Sequence, residues 1–222
     1  IGIGGALSTG TRQFNYVNDF DGSDPLMGAT QTLLGGAPGV TNILQSSDSD
    51  ADNEFVFVQG FSSAQEASLG IDPELSGAER VASFEMSFVL DMASPANSDH
   101  VDGLSINFGD MSTLTGEYEN GVAEGLAVRL DPVSNVTDIR WNGQVITSGP
   151  TFSLETRPEG LMRVTVDAEG GVAVTYASDS SPYLTATIPN GEWGTADQTG
   201  WSFGLAARTG ANEGAIYVDD VN

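Results

Sequence analysis

Four oxygen-bearing side chains, Asp102, Asp131, Asn135 and Asp138, stand at or near the ends of apolar, strand-like runs between Val101 and Trp141. A carboxylate accepts hydrogen bonds at two oxygens, and carboxylate and amide oxygens are the hard donors that suit calcium. Asp131, Asn135 and Asp138 have the spacing of metal ligands drawn from one loop, although one loop supplies fewer than the roughly six to eight oxygens of a calcium shell. Asp102 reads as an acceptor for ligand hydroxyls or, equally, as a strand-end carboxylate capping a turn. Asp48, Asp50, Asp52 and Glu54 alternate like the start of a calcium loop. The glycine and the closing glutamate of an EF-hand loop are missing, so this stretch is a solvated acidic turn or part of a site that other loops complete. Asp21, Asp24, Asp219 and Asp220 are further candidate ligands.

Such residues need strands to hold them. The chain has 222 residues with 28 glycines and 9 prolines. About a dozen short runs of alternating or apolar residues are punctuated by turn signals, which favours one sandwich or barrel. Val81–Met92 is the clearest long strand, and Gln65–Ser76 is the best candidate for a short helical turn. Asn142-Gly143 and Asp167–Gly171 mark hairpin turns. A chain this long hides roughly 70% of its unfolded surface, enough for a real core. The economical architecture is all-β: a two-sheet antiparallel jelly-roll sandwich over residues 13–222. Residues 1–12, glycine-rich and apolar, form either a flexible segment or a strand donated to a neighbouring subunit.

Composition excludes several functions. The net charge is −24, from 31 acidic residues and 7 basic ones, all arginine. Such a surface repels phosphate backbones and anionic membranes, so nucleic acid is not a partner. The acidity fits solubility in a salty medium or binding of divalent cations. There is no cysteine, hence no disulfide, thiolate metal site or cysteine nucleophile. No apolar run is long enough to insert across a membrane.

Several segments, in order, resemble the concanavalin-A-like jelly-roll superfamily, which includes legume-type lectins and laminin-G-like domains. Phe84-Glu-Met-Ser-Phe88 is similar to the strand that precedes the sugar site. Asp102-Gly-Leu-Ser-Ile-Asn-Phe108 is similar to the lectins' Asp-Gly-Leu-Ala-Phe signature. Leu126-Ala-Val-Arg-Leu-Asp131 with Asn135 resembles the metal-loop segment Val-Ala-Val-Glu-Phe-Asp-Thr-x-x-Asn. Trp201–Gly210 with Glu213 resembles the late strand and loop ending in Gly-Phe-Ser-Ala-x-Thr-Gly. The resemblance implies that Asp102, with Gly103, contacts a sugar. It implies that Asp131 and Asn135 ligate calcium, with Asp138 near, and that Asn135 also reaches the sugar. The turn holding Asn212 and Glu213 corresponds to the loop that tunes sugar choice. Two departures stand out: Arg129 replaces the glutamate two residues before the metal-loop aspartate, and the loop beyond Asn135 lacks the lectins' Asp-Pro…His continuation.

Sugar recognition also wants a planar aromatic on a rigidly held loop. Trp193, in the glycine-rich stretch 190–194, is the expected exposed ring. Trp201 begins an apolar strand and belongs to the core, and Trp141 fits either role. Enzyme readings lack their motifs. The Glu-x-Asp-x-x-Glu strand of jelly-roll glucanases is missing, and so is a Gly-x-Ser-x-Gly elbow. His100 reads as an exposed loop residue. The expectation is a secreted or surface-displayed, non-catalytic carbohydrate-binding or adhesin module, calcium-stabilised, whose partner is a glycan or cell-surface polysaccharide. The alternative is a self-associating subunit of an extracellular filament or surface layer.

Overall fold

The computed structural model describes residues 12–18, 28–34, 44–46, 53–60, 66–76, 79–93, 102–150, 159–176, 181–209 and 214–222. Two antiparallel sheets of seven strands each face one another. The first runs, in spatial order, β1 (Thr30–Leu34), β4 (Glu66–Ile71), β13 (Ser202–Arg208), β6 (Gly103–Gly109), β7 (Gly125–Asp131), β8 (Val136–Trp141) and β9 (Gln144–Pro150). The second runs β12 (Leu184–Thr187), β11 (Gly171–Tyr176), β10 (Glu159–Val166), β5 (Phe84–Ala93), β14 (Gly214–Asp219), β3 (Asn53–Gly60) and β2 (Leu44–Ser46). This is the jelly-roll sandwich that the strand pattern predicts. No helix among the described residues is long and apolar enough to cross a membrane.

Alternation builds the core. In β6, Leu104, Ile106 and Phe108 point inward and are at most 3% exposed; in β5 the inward set is Met86, Phe88, Leu90 and Met92. Together with Val164, Val174, Leu205 and Ile216 they form one apolar cluster between the sheets. Each fully buried side chain of this size stabilises the fold by about 1.5–3 kcal/mol relative to exposure. The hairpin signals hold: Asn142 and Gly143 both take positive φ, 48° and 72°, as a tight two-residue turn with the sheet's own twist requires.

Two expectations fail. Gln65–Ser76, read as a short helical turn, holds the interior strand Glu66–Ile71, because Ala67, Leu69 and Ile71 alternate into the core. The short run carries too few polar residues to show a period, and a short apolar stretch is ambiguous between helix and strand. Of Phe14–Phe20, read as a strand, the described residues 14–18 contribute one bridge from Asn18 to Val221, and Phe14 stacks on Phe203 instead. The strand expected at 151–155, the acidic run at 48–52, Asp21, Asp24, His100 and residues 1–11 lie outside the described residues.

Candidate functional site

The outer face of the first sheet carries the polar half of each alternating strand. Strand pairing places Ser68, Ala206, Ser105, Arg129, Asp138 and Ser148 in one row across six strands. The segment between β6 and β7 folds over part of this face. Leu114, Tyr118 and Val122 from that segment bury Ala127 and Ala206 in a small second core. Two side chains of β6 tie the segment down. The Ser105 hydroxyl donates to the Tyr118 carbonyl at 2.8 Å, and the Asn107 amide oxygen accepts from the Val122 N–H at 3.0 Å. Gly121, at φ 81°, lies against Asn107 and Ala127, where a β-carbon would collide. Neither Ser105 nor Asn107 stood out as functional in the sequence, although their period-two placement between Leu104, Ile106 and Phe108 marks them as outward-facing.

Asp102 opens β6 at one end of this face. Gly103, at φ 155°, passes so close to the Leu130 carbonyl and the Glu119 side chain that a β-carbon has no room. That packing gives Gly103 a structural reason independent of any ligand. Beside it, Arg208 at the end of β13 gathers four carboxylates. Its Nη1 lies 3.2 Å from Asp102 Oδ2, 3.2 Å from Glu117 Oε1 and 3.3 Å from Glu119 Oε1, and its Nε is 3.6 Å from Glu66 Oε1. Nothing in the local sequence signals this convergence, because Arg208 and its partners come from four separate segments of the chain.

Glu119 is 6% exposed and its Oε2 has no hydrogen-bond partner. Burial raises its pKa above the ordinary carboxylate value, as do the neighbouring Glu117 and Asp102 carboxylates, against the lowering effect of Arg208. Glu66 is raised too, again chiefly by burial. A carboxyl whose folded pKa exceeds its unfolded one binds its proton more tightly in the folded state. Its stabilising contribution is therefore full below the unfolded pKa and is lost as pH rises through the folded pKa. We expect stability to rise as pH falls from neutrality toward the ordinary carboxylate range, and Glu119→Gln to flatten that rise, as read from urea midpoints across the interval.

Asp131 and Asp138 are 4% and 5% exposed and sit on adjacent strands. Arg129 stands between them: it pairs with Asp131 two residues along β7 and lies 3.5 Å from Asp138 Oδ2, directly across the ladder. Arg140 reaches the same Asp138 oxygen at 3.2 Å. The remaining carboxylate oxygens are also engaged. Asp131 Oδ1 accepts from the Ser134 N–H at 2.8 Å, and Asp138 Oδ1 accepts from the Ser148 hydroxyl at 2.6 Å. The β7–β8 turn is thus pinned by its own first aspartate. Asn135 closes the turn at φ 55°, a conformation asparagine tolerates better than most residues. Among the described residues no three His, Cys, Asp or Glu side chains are grouped to hold a metal ion. The residues expected as calcium ligands do not fit that role as they stand, because two guanidinium groups occupy their carboxylates. Asn212 and Glu213 lie outside the described residues.

Trp193, the expected aromatic platform, does not lie at this end. Trp193 is 1% exposed, its indole N–H donates to the Ala82 carbonyl at 2.8 Å, and it packs against Phe84, Phe108 and Trp141 at the opposite end of the sandwich. Glycine-rich flanks suggested a loop at the surface, but the 3-10 turn Pro189–Gly194 folds the ring inward between the sheets. Trp201 is in the core as its apolar strand predicts, and Trp141 is also buried. Near them lies an open depression of about 340 Å³ lined by Glu124, Trp141, Asn142, Asp197 and Trp201, but both indoles are only 3% exposed there. At the Asp102 end, Val133, on the tip of the β7–β8 turn, is 62% exposed.

No family model and no curated protein sequence matches the chain. Solved structures do. The VIP36 exoplasmic/lumenal domain, in a form bound to Ca2+ and Man3GlcNAc, superposes with a TM-score of 0.60 at 15% identity, covering 88% of this chain and 83% of that one. The metal-free Emp46p carbohydrate recognition domain gives 0.61 at 13% identity over 95% of this chain and 97% of that one. Its potassium-bound form gives 0.59 at 12% identity over 92% and 93%. At such low identity the likeness is one of architecture: the chain has the legume-lectin-type, concanavalin-A-like jelly-roll fold.

Proposed function

We propose that residues 13–222 form a non-catalytic carbohydrate-binding module, secreted or displayed at a surface, with its glycan site at the Asp102 end of the first sheet. The observation that carries this reading is the convergence of strand ends there. Strand register sets Gly103 beside Arg208 and Leu104 beside Leu130, and the β7–β8 turn that presents Asn135 opens at the same end. Asp102 offers a carboxylate held by Arg208, Asn135 an amide, and Val133 an apolar contact for the face of a sugar ring. Asn212 and Glu213, between β13 and β14 in the sequence, are the remaining proposed contacts. The fold's occurrence in a VIP36 domain bound to Man3GlcNAc supports a glycan as the ligand class. Calcium is not part of the proposal, because Asp131 and Asp138 are already paired with arginine.

A glycan array followed by calorimetry tests the reading. Asp102→Ala is expected to weaken binding at least about 10-fold, the loss of a charge-assisted hydrogen bond of roughly 1.5–3 kcal/mol. Circular dichroism confirms that the variant is folded. Failure of the folded wild-type chain to bind any glycan, together with loss of polymerisation on deleting residues 1–12, would favour a filament subunit instead.

A further inference from the structure

We infer that Arg129, seconded by Arg140, takes the place of a metal ion in this fold, so that the β7–β8 turn is held by an internal arginine–aspartate lattice and not by calcium. The chemistry of the four side chains carries this. Asp131 and Asp138 are both nearly buried, and ionised carboxylates in such a place need a counter-charge. Arg129 supplies it to both, one Nη to each, and Arg140 adds a second contact to Asp138. The group holds two negative and two positive charges, so it is neutral without any bound ion.

Every carboxylate oxygen of the group is engaged as well. Each of the four carboxylate oxygens accepts from or pairs with a donor: Asp131 with Arg129 and the Ser134 N–H, Asp138 with the two arginines and the Ser148 hydroxyl. A divalent cation entering here would meet two guanidinium groups within a few ångströms, and it would have to displace donors that are already well placed. Nor does the lattice arise by chance of rotamer. Arg129 and Asp131 are two residues apart on one strand, hence on one face, and Asp138 is the direct cross-strand partner of Arg129. The planar, forked guanidinium suits this bridging in a way a lysine ammonium does not.

The link to glycan binding rests on the proposed function: if the turn positions Asn135 for a sugar, that sugar is bound without calcium. The claim about the lattice itself does not depend on it. The test is calcium calorimetry on chelator-stripped protein, comparing wild type with Asp131→Asn and Asp138→Asn. Calcium bound elsewhere on so acidic a chain contributes equally to all three isotherms. The expected result is that the three superimpose. A wild-type binding step lost in either variant would overturn the inference. In parallel, Arg129→Glu places a third carboxylate beside Asp131 and Asp138. It is expected to be destabilised in chelator and to recover by several degrees more in millimolar calcium than the wild type does, while the wild-type response to calcium equals that of Asp138→Asn. A wild-type midpoint that rises with calcium, with the rise abolished by Asp138→Asn, would also overturn it. Where a glycan ligand is found, its affinity is expected to change less than about twofold between chelator and calcium. A chain that binds no glycan but gives superimposed isotherms refutes the functional reading and leaves the lattice standing.

Discussion

Replacing Arg129 with methionine is expected to destabilise the protein by about 3–5 kcal/mol, the usual cost of removing one partner from a buried ion pair. The substitution preserves much of the side chain's apolar stem, so the loss is chiefly electrostatic. Asp138 keeps Arg140 at 3.2 Å, but Asp131 is left with the Ser134 N–H alone and is 4% exposed. The larger part of the cost therefore falls on Asp131. Urea unfolding measures it, as a lower midpoint with an unchanged slope. A second substitution separates charge from packing. Asp131→Asn in the Arg129→Met background removes the stranded charge and should recover a substantial part of the loss, giving a coupling of the sign expected for a direct pair. If Arg129→Met shifts the midpoint no more than an exposed surface substitution does, the lattice does not hold the turn.

Trp193→Ala is expected to cost about 3–5 kcal/mol, the range for deleting a large buried aromatic. The ring is 1% exposed, its indole N–H is bonded to Ala82, and its neighbours Phe84, Phe108 and Trp141 lie 5.9–6.2 Å away between ring centroids. Removing it opens a cavity at the end of the sandwich remote from Asp102, beneath strands that have little freedom to collapse. The effect should appear in the unfolding midpoint and not in glycan affinity measured well below that midpoint. The opposite pattern, a stable protein with lost binding, would restore Trp193 to the role of sugar platform.

These two residues mark where sequence reasoning stopped. At Trp193, local composition pointed outward: glycines at 191 and 194 and an asparagine at 190 have the character of a loop. The chain there is indeed a turn, with Asn190 and Gly191 at positive φ. What composition cannot express is that a turn lying over the mouth of a sandwich has an inner side, and an indole there gains more from burial among aromatics than from water. At Arg129 the sequence showed the departure from the lectin pattern but not its consequence. Only strand register reveals that Asp138 stands directly opposite, so that Arg129 serves it as a counter-ion.

The jelly roll was legible in the sequence. Period-two alternation in β5, β6, β7 and β13, with Asn-Gly and Asp-x-x-Gly turns between strands, favours a sandwich or barrel, and the two-sheet jelly roll is the economical way to cover every apolar face. The sequence also located Asp102, Asp131, Asn135 and Asp138, because strand ends and turns are legible from local residue type. Which charges surround the three aspartates emerges only in the folded chain. Arg208 draws Glu66, Asp102, Glu117 and Glu119 together from three segments, and Arg129 with Arg140 neutralises Asp131 and Asp138 across two strands. Electrostatic partnership depends on distance through space and on burial, and neither is a property of spacing along the chain.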